Sequence, residues 1–179
     1  NNLSVQVFRF TDGSYLEGQD AWHMSGIHRD VYLFATPRTY IRDHYITSSL
    51  DAADGYKSGS MNVAVTMTRK STADSGNKGV RVRLISPEGE QIAEQYMGFD
   101  FEVDNNATGD MTLDIEFDNL KNLELWSAET PNLYTVEIAQ LDNADNEEEV
   151  FATKYGFRHI EIPADDHRVY INGKQVYFK

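Results

Sequence analysis

Hydrophobic and polar residues alternate with a period of two through most of the chain from Tyr40 onward. Met61, Val63, Val65 and Met67 interleave with Asn62, Ala64, Thr66 and Thr68, and Met111, Leu113, Ile115 and Phe117 with Thr112, Asp114, Glu116 and Asp118. Successive strand side chains point to opposite faces, so each run predicts a strand with one buried face. Val80, Val82 and Leu84 predict another, with Arg81 and Arg83 turned outward. Pro87-Glu88-Gly89-Glu90 supplies the turn into Gln91–Met97. Tyr40–Leu50, Leu133–Leu141 and Glu149–Ile162 complete the set, the last two joined by the acidic turn Asp142–Glu148. No segment carries a sustained helical stripe.

About seven short strands over this length predict an all-β, immunoglobulin-like β-sandwich with Greek-key connections. The Cys–Trp–Cys signature of antibody domains is absent, so the likeness is architectural. Asn1–Phe10 and Val31–Phe34 then need another home, as an edge strand of a preceding domain and a strand returning to it. Pro37 restricts Thr36 to an extended conformation and marks the boundary. The predicted organisation is residues 1–36 as the end of a preceding domain and its crossing, 37–163 as the sandwich, and 164–179 as a lead into something further. The opening residues are already strand-like, and VYINGKQVYFK ends the chain on a hairpin-like sequence, so both ends read as cuts through a longer polypeptide.

Charge narrows the partners. Sixteen Lys and Arg stand against 29 Asp and Glu, a formal net charge of −13. Such a field repels phosphate backbones and anionic lipid, so neither nucleic acid nor a membrane surface is an expected partner. No apolar run reaches the roughly 18 residues that a membrane span needs. There is no cysteine, which removes disulfides, a thiolate nucleophile and cysteine-ligated metals. Its absence is compatible with either cytoplasm or periplasm.

Most of the candidate chemistry has a bland explanation. Asp114, Glu116 and Asp118 occupy the wet face of one strand, where carboxylates keep ordinary acidity. Glu147, Glu148 and Glu149 sit in or beside a turn. Neither that turn nor Asp104–Asp110 has the spacing of a calcium loop, with its terminal bidentate Glu. Asn106-Ala107-Thr108 is a glycosylation sequon. The histidines His23, His28, His44, His159 and His167 are scattered, no HExxH occurs, and no serine sits in GxSxG. Trp126, just ahead of a strong strand, reads as a packing residue.

GQDAWHMSGIHRDVYL, Gly18 to Leu33, is the exception. Gly18 and Gly26 permit tight backbone turns, and between them an Asp, a Trp, a His and a Met crowd an irregular segment. A carboxylate beside an aromatic wall recognises sugar hydroxyls, and it can also coordinate a hard cation. Equally, Trp22, Met24 and Ile27 could plug an interdomain seam while the charged residues satisfy local backbone groups.

Three blocks carry a resemblance. DGSYLEGQDAWHMSGIHRDVYL (Asp12–Leu33), LWSAETPNLYTVEI (Leu125–Ile138) and GFRHIEIPADDHRVYINGKQVYFK (Gly156–Lys179) resemble, in this order, segments of the family 2 glycoside hydrolases, nearest to the large bacterial β-galactosidases. The first resembles the crossing from the sugar-binding jelly-roll domain to the first immunoglobulin-like domain. The second resembles a late strand of that sandwich, and the third its last strand and the lead into the catalytic (β/α)8 barrel.

The resemblance implies hydrolysis of terminal β-D-galactosyl residues with retention, by a pair of glutamates in the barrel beyond Lys179. It implies sodium and magnesium in the intact enzyme, none held by this stretch alone, and a homo-oligomer. It assigns one residue here to the site: Asp20, which would reach the galactosyl 6-hydroxyl region and a sodium ion. Trp22, Met24, Gly26, Arg29 and Asp30 match the motif as its support. His23 stands where many relatives carry arginine, and the Gly98–Asp110 connection is short. β-Glucuronidases and β-mannosidases share the scaffold. The alternative is an independent carbohydrate-binding or adhesive β-sandwich module.

Overall fold

The computed structural model describes residues 2–16, 24–71, 78–100 and 109–177. The chain divides into two compact units, Asn1–Ala35 and Thr36–Lys179.

The second unit contains the strands β1 (Thr39–Leu50), β2 (Gly59–Arg69), β3 (Lys78–Ile85), β4 (Gln91–Phe99), β5 (Gly109–Leu120), β6 (Tyr134–Leu141) and β7 (Glu147–Tyr155). They form two antiparallel sheets, ordered β1-β2-β5 and β4-β3-β6-β7. The chain changes sheet after β2, β4 and β5, which makes a Greek-key sandwich. In the constant-type immunoglobulin order the fourth strand joins the first sheet. Here β4 pairs with β3 instead, through eight partners from Lys78↔Phe99 to Ile85↔Gln91.

The alternation on β2 and β5 meets in register: Met61 lies opposite Phe117, Val63 opposite Ile115, Val65 opposite Leu113 and Met67 opposite Met111. The facing sheet supplies Val80, Val82, Leu84, Val136 and Ile138, all without exposure to solvent. Full burial of such a side chain is worth about 1.5–3 kcal/mol, so this doubled stripe dominates the stability of the unit.

Two details depart from a plain period of two. A bulge between Ile41 and Asp43 moves β1 from inward Thr39 and Ile41 to inward His44, Ile46, Ser48 and Leu50. One extra residue reverses the face of everything after it. The run Glu149–Ile162, expected as one strand, is two. β7 ends at Tyr155, and the chain leaves the ladder at Gly156 to bury Phe157 edge-on against Tyr134 and Tyr155, with ring centroids 4.9 and 5.2 Å away. A small sheet then forms from β8 (Ile160–Glu161), β9 (Tyr170–Ile171) and β10 (Lys174–Gln175), ordered β10-β9-β8. Its tight turn is Asn172-Gly173, both at positive φ (50° and 73°), the backbone that an Asn-Gly hairpin supplies at little cost.

The first unit contrasts with this. Among its described residues no strand pairs and none is buried. Of the strands expected over residues 1–10 and 31–34, none forms among the described residues. Leu3, Phe8, Phe10, Tyr32, Leu33 and Phe34 all expose more than half of their surface.

Candidate functional site

Asp20, with Trp22 and His23, lies outside the described residues. Its flanks are described. On the N-terminal side a tight turn closes over Thr11–Leu16. The Thr11 N–H donates to Ser14 Oγ at 2.7 Å, the Ser14 N–H to Thr11 O at 3.0 Å, and the Leu16 N–H to Gly13 O at 2.9 Å. On the C-terminal side Gly26 has φ 113°, a backbone that favours glycine. Met24, Ile27, His28, Arg29 and Asp30 beside it are exposed.

Several carboxylates of the sandwich bind side chains or backbone of neighbouring strands. Asp114, Glu116 and Asp118 lie on the wet face of β5, where Asp114 accepts from Asn62 Nδ2 at 3.0 Å. The acidic residues leading into β7 have roles that the sequence did not signal. Glu147 pairs with Arg81, and the Glu148 carboxylate accepts from Gln140 Nε2 at 2.7 Å. Glu149 reaches across the sandwich to accept the Ile41 N–H at 2.8 Å. Gln140, fully buried, also donates to Thr39 O at 2.8 Å, so one corner of β6 and β7 clamps the first residues of β1. Burial pushes the Glu149 carboxyl above its usual range, against the opposing pull of the Ile41 N–H.

Arg81 and Arg83 face outward as their positions predicted, yet both are cross-strand anchors. Arg83 meets Glu94 at 2.9 Å and Glu137 at 3.0 Å, while Arg81 lies within 4.0 Å of Glu94. This ladder stitches β3 to β4, β6 and β7. Asp110 ion-pairs with Arg42, and residues 104–108 of its loop, the sequon included, lie outside the described residues.

Two aromatics settle into packing. Tyr134, at the start of β6, accepts the Glu124 N–H on its phenol oxygen at 2.8 Å, the tyrosine corner of immunoglobulin-like sandwiches. Burial raises its phenol above the ordinary range. Trp126 donates its backbone N–H to Phe157 O at 2.9 Å, and its side chain lies against Gly156, where an added Cβ would come within 2.8 Å of it. The signal for both was present in LWSAETPNLY, as a Tyr ten residues after Glu124 at a strand start, but the bond itself cannot be read from spacing.

Among the described residues the histidines do not converge. His44 is half-buried on β1, His159 stacks on Tyr56 at 5.0 Å, and His167 occupies a turn at φ 56°. Among the described residues no group of three or more His, Asp or Glu is placed to hold a metal. A cleft of about 470 Å³ opens at the ends of β1, β2 and β5, lined by Asp51, Ser58, Ser60, Asp118 and Lys121 among others. Its lining includes no aromatic ring on which a pyranose face could stack. No helix among the described residues is long and apolar enough to cross a membrane.

The comparisons with known proteins agree on one family. Residues 39–158 match Glycosyl hydrolases family 2, and residues 1–37 match Glycosyl hydrolases family 2, sugar binding domain. A β-galactosidase of Priestia megaterium is 33% identical over 176 residues, covering 98% of this chain and 16% of that protein. A β-galactosidase of Streptococcus thermophilus is 34% identical over 179 residues, covering 100% of this chain and 16% of that protein. The chain therefore spans about one-sixth of the length of the curated relatives it matches. In fold it is similar to the β-glucuronidase 2 of Bacteroides uniformis, with TM-score 0.71 and 18% identity over 88% of this chain and 19% of that one. With a sandwich matched over residues 39–158 and a sugar-binding segment matched ahead of it, this chain belongs to the family 2 glycosyl hydrolases.

Proposed function

We propose that this chain is a noncatalytic part of a retaining β-galactosidase. In that reading the sandwich supports the catalytic barrel, and the segment ahead of it lends Asp20 to the active site. The observation that carries it is the pair of relatives named β-galactosidase, at 33% and 34% identity along nearly the entire chain. Family membership makes a glycosidase parent, and the GQDAW motif favours the galactoside over the glucuronide and mannoside branches. Asp20 would accept hydrogen bonds from the galactosyl 6-hydroxyl region and contribute an oxygen to a sodium ion, a hard cation suited to carboxylate ligands. Magnesium would belong to the barrel.

The organisation that follows is residues 1–36 as the end of the sugar-binding jelly-roll domain, 37–163 as the immunoglobulin-like sandwich, and 164–179 as the lead into the barrel. The intact enzyme is expected to be a homo-oligomer whose other domains are the main partners of this stretch. The exposed apolar side chains of the first unit supply surface for such neighbours. The test is turnover by the intact polypeptide of aryl β-D-galactoside, β-D-glucuronide and β-D-mannoside, with the 179-residue chain assayed beside it. Preference for the galactoside, and no turnover by the 179-residue chain, is the expected result. Preference for the glucuronide would overturn the galactosidase assignment.

A further inference from the structure

One side chain hydrogen-bonds the small sheet β8-β9-β10 to the connection between β5 and β6. Asn172 occupies the first position of the Asn-Gly turn, a role that its backbone alone would fulfil. Its side chain does more. Oδ1 accepts the His159 N–H at 2.9 Å, and Nδ2 donates to Trp126 O at 3.0 Å. Its own N–H donates to His159 O at 2.9 Å. Trp126 belongs to the connection between β5 and β6, whereas His159 leads into β8, so Asn172 joins three separated segments at one point.

Around this point the contacts are close and planar. His159 stacks on Tyr56 with ring planes 13° apart, a Cβ on Gly173 would meet the Tyr56 ring at 3.4 Å, and Arg158 lies over the Trp126 ring at 4.9 Å. Stacked rings resist tilt but permit sliding in their own plane. Two directional hydrogen bonds from a single amide to different segments remove that freedom.

We propose that Asn172 is a positioning residue: it fixes the angle at which the C-terminal hairpin leaves the sandwich. In the glycosidase reading, on which the consequence for activity rests, it thereby sets the placement of the barrel that follows.

Asn172→Gly tests this without disturbing the turn, since glycine adopts the same positive φ while losing both side-chain bonds. Asn172→Asp is the conservative partner, because it retains an acceptor for the His159 N–H. Hydrogen exchange on the 179-residue chain should accelerate at His159 by roughly 5- to 30-fold in the glycine variant. Exchange at Val63 and Val136 should stay unchanged, and the aspartate variant should restore most of the protection. The chain has no cysteine, so Thr47→Cys and Lys174→Cys accept spin labels cleanly. Their distance distribution should be narrow and should broaden with Asn172→Gly and with Asn172→Asp alike, because neither replacement can donate to Trp126 O. Unchanged exchange at His159, or an unchanged distribution, overturns the proposal. In the intact polypeptide Asn172→Gly should lower kcat by about 10-fold or more with little change in KM, as misplaced support does. Unchanged kcat would overturn the consequence for the barrel. The distance measurement decides positioning whether or not the intact polypeptide cleaves a glycoside, so the two readings fail separately.

Discussion

The two units of this chain hold similar side chains and treat them differently. In the sandwich, Met61, Val63, Val65 and Met67 meet apolar partners across β5 and disappear from solvent. In the first unit, Leu3, Val5, Val7, Phe8 and Phe10 also follow one another closely, yet none is buried. The difference is the partner. Alternation marks a segment as fit for a sheet, and burial requires a second surface. A unit that closes its own core serves as a platform, whereas one that leaves its apolar residues exposed has surface available for neighbours. The motif bearing Asp20 lies in the latter.

The largest effect that would break this contrast is core truncation. Phe117 is 2% exposed opposite Met61, whereas Phe10 is 67% exposed. Phe117→Ala should cost about 3–5 kcal/mol in denaturant unfolding of the 179-residue chain. Phe10→Ala should stay within about 0.5 kcal/mol. Equal costs for the two would show that the first unit has a core of its own.

A smaller effect probes the sandwich corner. Tyr134→Phe keeps the ring and removes the acceptor of the Glu124 N–H, which should cost about 1 kcal/mol. A melting temperature unchanged by this substitution would reduce the tyrosine corner to packing alone.

The smallest effect is a pH dependence at the clamp on β1. Because burial raises the Glu149 carboxyl in the folded state, the folded protein binds that proton more tightly than the unfolded chain. Its contribution is fully present below the ordinary glutamate range and is lost as pH rises through the raised folded value. Relative to Glu149→Gln, the wild-type chain should therefore lose stability as pH increases across that window. Thermal melts of both proteins from acid to neutral pH give the comparison, and parallel curves would contradict it.

Much of the sandwich was legible because its physics is local. Both stripes of β2 and β5 are written in single residues, and the glycine turn at Pro87–Glu90 fixes one hairpin. The missed features depend on distant partners. Nothing in TYIRDHYITSSL announces that the chain bulges after Ile41, because the reversed face becomes visible only against β2. Phe151, Thr153, Tyr155 and Phe157 keep a period of two straight through the end of β7. The strand ends where Gly156 packs against Trp126, thirty positions earlier, and Phe157 turns into the core. Glu149 resembled a surface residue until Ile41 was brought opposite it. For the site, the motif around Asp20 was legible as a resemblance, while its geometry belongs to residues that the structure does not describe.

We propose that this stretch, in the intact polypeptide, supplies one direct substrate contact through Asp20. Steady-state kinetics of Asp20→Ala in the intact polypeptide, on an aryl β-D-galactoside with sodium varied, tests it most directly. Loss of a charged hydrogen-bond acceptor and a cation ligand should lower kcat/KM by roughly 10- to 100-fold and flatten the response to sodium. Unchanged kcat/KM with an intact sodium response would contradict the account and return the segment to a purely structural role.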